Sequence, residues 1–93
     1  MKIAVFGSAK NEISPYIEII CKEIGAYLAE KGVTVVTGGS SGIPGIIVKS
    51  AFESGAHTEA YSPDENETAH EKRNDNLPLN YFKSHKFIPG FTA

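Results

Sequence analysis

The sequence predicts an α/β fold, a parallel sheet with flanking helices. Three observations predict it. A continuous apolar run, Ile3–Phe6, stops at Gly7-Ser8, and a second, valine-rich run, Val33, Val35 and Val36, leads into Gly38-Gly39, as strands buried in a parallel sheet do. Apolar residues recur at helical spacing after each run, so that strand, helix, strand, helix and strand alternate. Glycine- and serine-rich turns sit at the ends of both runs, at the carboxyl ends of the predicted strands.

Taken in order, Ile3, Ala4, Val5 and Phe6 form the first strand, closed by Gly7-Ser8. The polar stretch from Ala9 to Ile13 reads as a loop. Ser14 is a helix N-cap and Pro15 fits the first helical position. Ile17, Ile20, Cys21, Ile24 and Leu28 then give one apolar stripe, and Gly32 ends the helix. Val33, Val35 and Val36 make the second strand, which runs into Gly38-Gly39. A second helix is expected from about Pro44 to Ser54, with Gly55 beyond its end. Its apolar residues Ile46, Ile47, Val48, Ala51 and Phe52 exceed one narrow stripe, which implies packing on two sides. His57–Tyr61 fits a third strand.

The stretch from Ser62 to Asn76 holds seven charged residues and no large apolar side chain. It reads as a structureless lid, binding loop or disordered segment. Apolar residues return from Leu77, and Phe87-Ile88 suits a short strand with Pro89-Gly90 turning out of it.

The chain of 93 residues is expected to form a single, partial domain (1–93). Its net charge of −2 argues against a nucleic-acid polymer as ligand, because such binding leans on many Lys and Arg contacts. No apolar run approaches a membrane span and no signal core precedes Gly7, so the expected location is cytoplasmic. Cys21, the single cysteine, falls on the apolar stripe and is read as core.

Ligands of open parallel sheets bind outside the carboxyl ends of the strands. Glycines there let backbone approach phosphate oxygens, and a following helix N-terminus favours anions. Gly7, Ser8, Gly38, Gly39, Ser40, Ser41, Gly42 and Gly45 are therefore the candidate phosphate- or nucleotide-binding residues. The plainer alternative is that these glycines serve the turns alone. No Gly-Lys-Ser/Thr follows, and the first turn, Gly7-Ser8-Ala9-Lys10, lacks the G-x-G-x-x-G spacing. Arg73, the one arginine, is a possible phosphate clamp if its loop folds over the site. His57, His70 and His85 are expected to be solvated or packed, and no metal-ligand spacing is present. The acidic residues Asp64, Glu65, Glu67, Glu71 and Asp75 interleave with Lys72 and Arg73, as in a solvated loop.

Lys2–Ser8, Val35–Gly45 and Phe87–Ala93 together resemble the LOG (Lonely Guy) proteins, a branch of a Rossmann-like superfamily often called lysine decarboxylase-like. The resemblance implies that this chain is the N-terminal β-α-β-α-β portion of such a domain. LOG proteins hydrolyse the N-glycosidic bond of cytokinin riboside monophosphates, and other branches bind nucleotides or carry molybdenum cofactor. The family's PGGxGTxxE motif, with its glutamate and a preceding arginine, does not occur in this sequence. Its glycine turn is usually one residue longer, with methionine where Pro44 stands. No catalytic residue carries over, and no cofactor is implied.

The implied function is the nucleoside monophosphate-binding part of a phosphoribohydrolase, inactive unless completed by the missing half. The alternative is a non-enzymatic nucleotide-binding or molybdenum-cofactor-carrier-like module; a third is a glycine turn that keeps its shape without a ligand. A half-domain of this kind is expected to expose its first strand and to need a second copy or companion chain, unless Phe87-Ile88 folds back beside that strand.

Overall fold

A computed structural model describes residues 1–10, 12–73 and 75–89. Its elements run β1 (Lys2–Ala4), α1 (Pro15–Glu30), β2 (Thr34–Thr37), α2 (Gly42–Glu53), β3 (Thr58–Ser62), α3 (Glu67–Lys72), a 3₁₀ turn (Leu79–Tyr81) and β4 (Ser84–Phe87). The four strands form one parallel sheet in the order β1-β2-β3-β4. Each strand lies beside its predecessor, always displaced the same way. Right-handed crossovers therefore put α1 and α2 on one face, where they pack on each other and on β2.

The Ser14 hydroxyl accepts the Ile17 N–H at 3.3 Å and so caps α1, with Pro15 in the first turn. The buried stripe of α1 is Cys21, Gly25 and Leu28. It is narrower than the predicted one, because Ile17 and Ile24 are exposed. Gly25 lets α2 approach closely: a Cβ there would lie 2.7 Å from Ser50 Cβ and 2.8 Å from Ala51 N. In α2, Ile47, Val48 and Ala51 are buried, and Ile46 packs against the core, which fulfils the expected two-sided packing. Val35, Ala60, Leu77, Leu79 and Phe82 complete the core. Cys21 is part of it, and burial pushes its thiol pKa up.

Four expectations need correction. The first strand is not buried on both faces: Ala4 and Phe6 are exposed, because β1 is a sheet edge and no described helix covers the sheet's second face. Helix α2 starts at Gly42, two residues before Pro44, and the Ser8 carbonyl accepts the Ile43 N–H at 3.0 Å, one of the first-turn amides with no partner inside the helix. The described residues of the stretch from Ser62 to Asn76 form a folded lobe. Asn66 caps α3 by accepting the Ala69 N–H at 2.9 Å, and the lobe's polar side chains bond one another. Finally, β4 pairs with β3 at the far edge, so Phe87 and Ile88 do not close the sheet beside β1. The Pro89-Gly90 turn, and the resemblance over Gly90–Ala93, lie outside the described residues. Among the described residues, no helix is long and apolar enough to cross a membrane.

Candidate functional site

A cleft of about 620 Å³ opens at the carboxyl ends of β1, β2 and β3, where the topology places ligands. The β1 end contributes Val5, Phe6 and Gly7, and the β2 end Thr37, Gly38 and Ser40. Tyr61, Pro63 and Ile88 supply an apolar wall, while Arg73, Asp75 and Asn76 reach in from the lobe.

Of the eight predicted phosphate-binding residues, Gly7, Gly38 and Ser40 front this cleft. The other five build the turn behind it. Gly39 is buried with φ +89. Its N–H donates to Thr37 Oγ1 at 2.9 Å and its carbonyl accepts the Leu77 N–H at 2.8 Å. Ser41 donates its N–H to the Asp75 carbonyl at 2.8 Å, and its hydroxyl lies 3.1 Å from the same oxygen. Ser8 spends its carbonyl on Ile43 and its hydroxyl on the Lys10 N–H at 3.2 Å. Gly42 lies against Ser8 and Ala9, where a side chain has no room. Gly45 sits inside α2, and with Ser41 and Gly42 it borders a separate hollow of about 290 Å³ beside Lys49.

The N-terminus of α2 is thus largely occupied by its own chain. The Ser8 carbonyl takes one amide, and Pro44 has no N–H to offer. The Ser40–Asn76 bridge is made by the flanking residues, so Ser40's own N–H turns away from Asn76. Among the described residues, the Gly38 and Ser40 amides donate to no other backbone group.

Arg73 does reach the cleft, but in the company of two carboxylates. Its Nη1 lies 3.2 Å from Asp64 Oδ1 and its Nε 3.5 Å from Asp75 Oδ1. The hydrogen bond to Asp64 and the nearby carboxylate charges raise its pKa further. For Asp64, burial alone would raise the pKa. Hydrogen bonds from Arg73 and Asn76, with the Arg73 charge, outweigh it and hold the carboxyl below its ordinary value. This trio carries one positive and two negative formal charges, so an arriving phosphate must compete for the guanidinium.

Sequence reasoning missed His70 as an organiser of the site. It is fully buried. Its Nε2 lies 2.8 Å from the Leu77 carbonyl, which can only accept, so Nε2 carries the proton. In the neutral ring Nδ1 then accepts from the Ser62 hydroxyl at 2.9 Å. Its Cε1 also fills the space beside Gly39. An isolated histidine in a charged stretch carries no sequence signal for this role. Among the described residues no His, Cys, Asp and Glu group could hold a metal ion.

The profile of the SLOG cluster4 family matches residues 1–81. No curated protein matches the chain. Among solved structures, the Moco carrier protein from Chlamydomonas reinhardtii is similar at 22% identity and TM-score 0.73, over 98% of this chain and 50% of that one. A second structure of the Chlamydomonas rheinhardtii Moco carrier protein gives 22% and 0.69, over 99% and 49%. The X-ray structure of TM1055, a Northeast Structural Genomics Consortium target, gives 24% and 0.62, over 90% and 44%. The chain therefore spans about half the length of the solved structures it matches.

Proposed function

The chain belongs to the SLOG cluster4 family, within the LOG-like superfamily, and from that premise we propose that it is the nucleotide-binding part of a LOG-like phosphoribohydrolase. The observation that carries this reading is the cleft, which joins Gly7, Gly38 and Ser40 to an apolar wall at the strand ends. The phosphate of a nucleoside monophosphate sits against the free Gly38 and Ser40 amides and the Ser40 hydroxyl. Its base lies on Phe6, Tyr61, Pro63 and Ile88, whose apolar surfaces suit a flat heterocycle. Hydrolysis of the N-glycosidic bond requires the half that carries the PGGxGTxxE motif.

Titration with AMP, followed by backbone amide signals, tests the reading. The Gly7, Gly38 and Ser40 signals are expected to shift together. Shifts confined to Glu65–Lys72, with the glycine turn silent, would sink it.

A non-enzymatic, carrier-like module is the second reading. Two of the similar solved structures are of a Moco carrier protein, which is the support for it. Binding without base release, even after the missing half is supplied, would select it.

A further inference from the structure

The Ser62 hydroxyl has one hydrogen and two acceptors beside it. His70 Nδ1 lies 2.9 Å from Ser62 Oγ, and Asp64 Oδ2 lies 3.3 Å from it. A third neighbour, the Asp64 N–H at 3.3 Å, donates to that oxygen. With His70 neutral the hydrogen goes to Nδ1, and Ser62 Oγ then faces Asp64 Oδ2 with no hydrogen between them. Nε2 cannot change this, because its proton is committed to the Leu77 carbonyl at 2.8 Å. A proton added at Nδ1 resolves the conflict without moving a heavy atom. Nδ1–H donates to Ser62 Oγ, and the hydroxyl hydrogen turns to Asp64 Oδ2. Imidazole is the side chain that exchanges its proton between about pH 5 and 8.

The charges around the ring favour that proton. Asp64 Oδ2 stands 3.7 Å from Nδ1, and its lowered pKa keeps it ionised across that range. Arg73 lies beyond it, on Oδ1 at 3.2 Å, and reaches Asp75 at 3.5 Å. Among the described residues, the other elements against His70 bring no charge to it. The glycine turn presents Gly39, β3 the Ser62 hydroxyl and the following segment the Leu77 carbonyl. On its own helix, Glu67 and Lys72 are exposed, and Glu71 accepts the Leu79 N–H at 3.0 Å.

We propose that phosphate binding in the cleft is coupled to uptake of a proton at His70 Nδ1, passed on through Ser62 as a hydrogen bond to Asp64. The coupling rests on the reading of the cleft as a phosphate site. Arg73, Asp64 and Asp75 together carry one formal negative charge, which opposes an arriving anion. The proton brings the group to neutrality. It also gives Asp64 a second positive neighbour, so Arg73 turns to the phosphate more readily. Because His70 fills the space beside Gly39, the new charge stands behind the Gly38 and Ser40 amides as well. The linkage is reciprocal: an anion that prefers the protonated form also holds the proton on His70.

The experiment uses the full chain and inorganic sulfate, whose charge, unlike that of AMP, is constant across this range. Ring-nitrogen NMR from about pH 8 to 5 is expected to show His70 Nδ1 gaining a proton while Nε2 keeps its own throughout. Sulfate is expected to bind roughly 5- to 10-fold more tightly at the acid end, with the Gly38 and Ser40 amide signals shifting. His70→Gln keeps an N–H for the Leu77 carbonyl but cannot take up a proton. Its sulfate affinity is expected to be nearly flat with pH. If His70→Gln does not fold, the wild-type ring signals, read with and without sulfate, decide alone. An Nδ1 that stays unprotonated throughout, or an acid gain that persists in His70→Gln, overturns the proposal. Sulfate binding indifferent to pH overturns the coupling and leaves the phosphate site standing. Silence toward sulfate and AMP alike, at every pH, overturns the site and the coupling together.

Discussion

A side chain at Gly38 would meet nothing closer than the Tyr61 carbonyl oxygen at 3.8 Å, whereas one at Gly39 would stand 2.6 Å from Cε1 of His70. Gly39 also has φ +89, a left-handed conformation that side chains resist. Two adjacent glycines therefore do different work. Gly38 keeps the cleft floor open, and Gly39 lets a buried histidine lock the turn from behind. Gly39→Ala is expected to cost about 1–3 kcal/mol from backbone strain alone, with further loss from crowding His70. Gly38→Ala is expected to leave the melting temperature near that of wild type while weakening AMP binding. Calorimetry and the amide titration on both variants check this pair. Equal destabilisation would show that the two residues share one structural role. The sequence marks this turn clearly, since glycines and serines follow a valine run. It does not say which residues face the ligand. That division depends on three partners distant in sequence, the Ser8 carbonyl, the Leu77 amide and the His70 ring.

At the scale of elements, periodicity and caps made α1, β2, β3 and α2 legible, because each carries its own local signal. Ser14-Pro15 begins a helix and Gly32 lies just past its end in any context. The segment from Ser62 to Asn76 carries no such signal. Its order comes from polar pairs that close on themselves: Ser62 with His70, Asp64 with Arg73 and Asn76, and Asn66 with the α3 amides. Gly25 was equally illegible, since its role is the space it leaves for Ser50 and Ala51. The lobe's dependence on Asp64 has a pH signature. The Asp64 pKa is lowered in the folded state. Its contribution is therefore fully present above the unfolded carboxyl value of 3.8 and is lost as pH falls through the lower folded value. Thermal melts between about pH 5 and pH 2.5, spanning the ordinary Asp range, should show Asp64→Asn losing less stability with acid than wild type. At neutral pH the same variant should melt lower. Parallel acid limbs for the two proteins would show that Asp64 does not support the lobe through its charge.

At the scale of the whole molecule, the described residues give the sheet one covered face and one bare one, and the cleft inherits that asymmetry. One side of the strand ends is built by the glycine turn and the lobe. No described element stands on the other. Releasing a base from a nucleoside monophosphate needs a group that stabilises developing positive charge on the sugar and one that positions water; a carboxylate is the common means to both. The cleft holds Asp75, with Asp64 just behind its wall, and both are paired with Arg73. The Arg73 charge offsets that of the two carboxylates, and Asp64, whose pKa is lowered, is poorly placed to take a proton. Freeing Asp75 would require a ligand phosphate to draw Arg73 away, which spends the clamp and the carboxylate on the same event. The chain alone is therefore expected to bind AMP without releasing adenine. Prolonged incubation with purified chain, followed by chromatography for free base, makes the measurement. On the proposed function, a polypeptide that carries the PGGxGTxxE motif is expected to bring release, because it supplies the glutamate that the resemblance makes central to hydrolysis. Release by the chain alone, free of contaminating hydrolase, would mean that Asp75 or Asp64 acts despite its pairing. It would also place the whole reaction within these 93 residues.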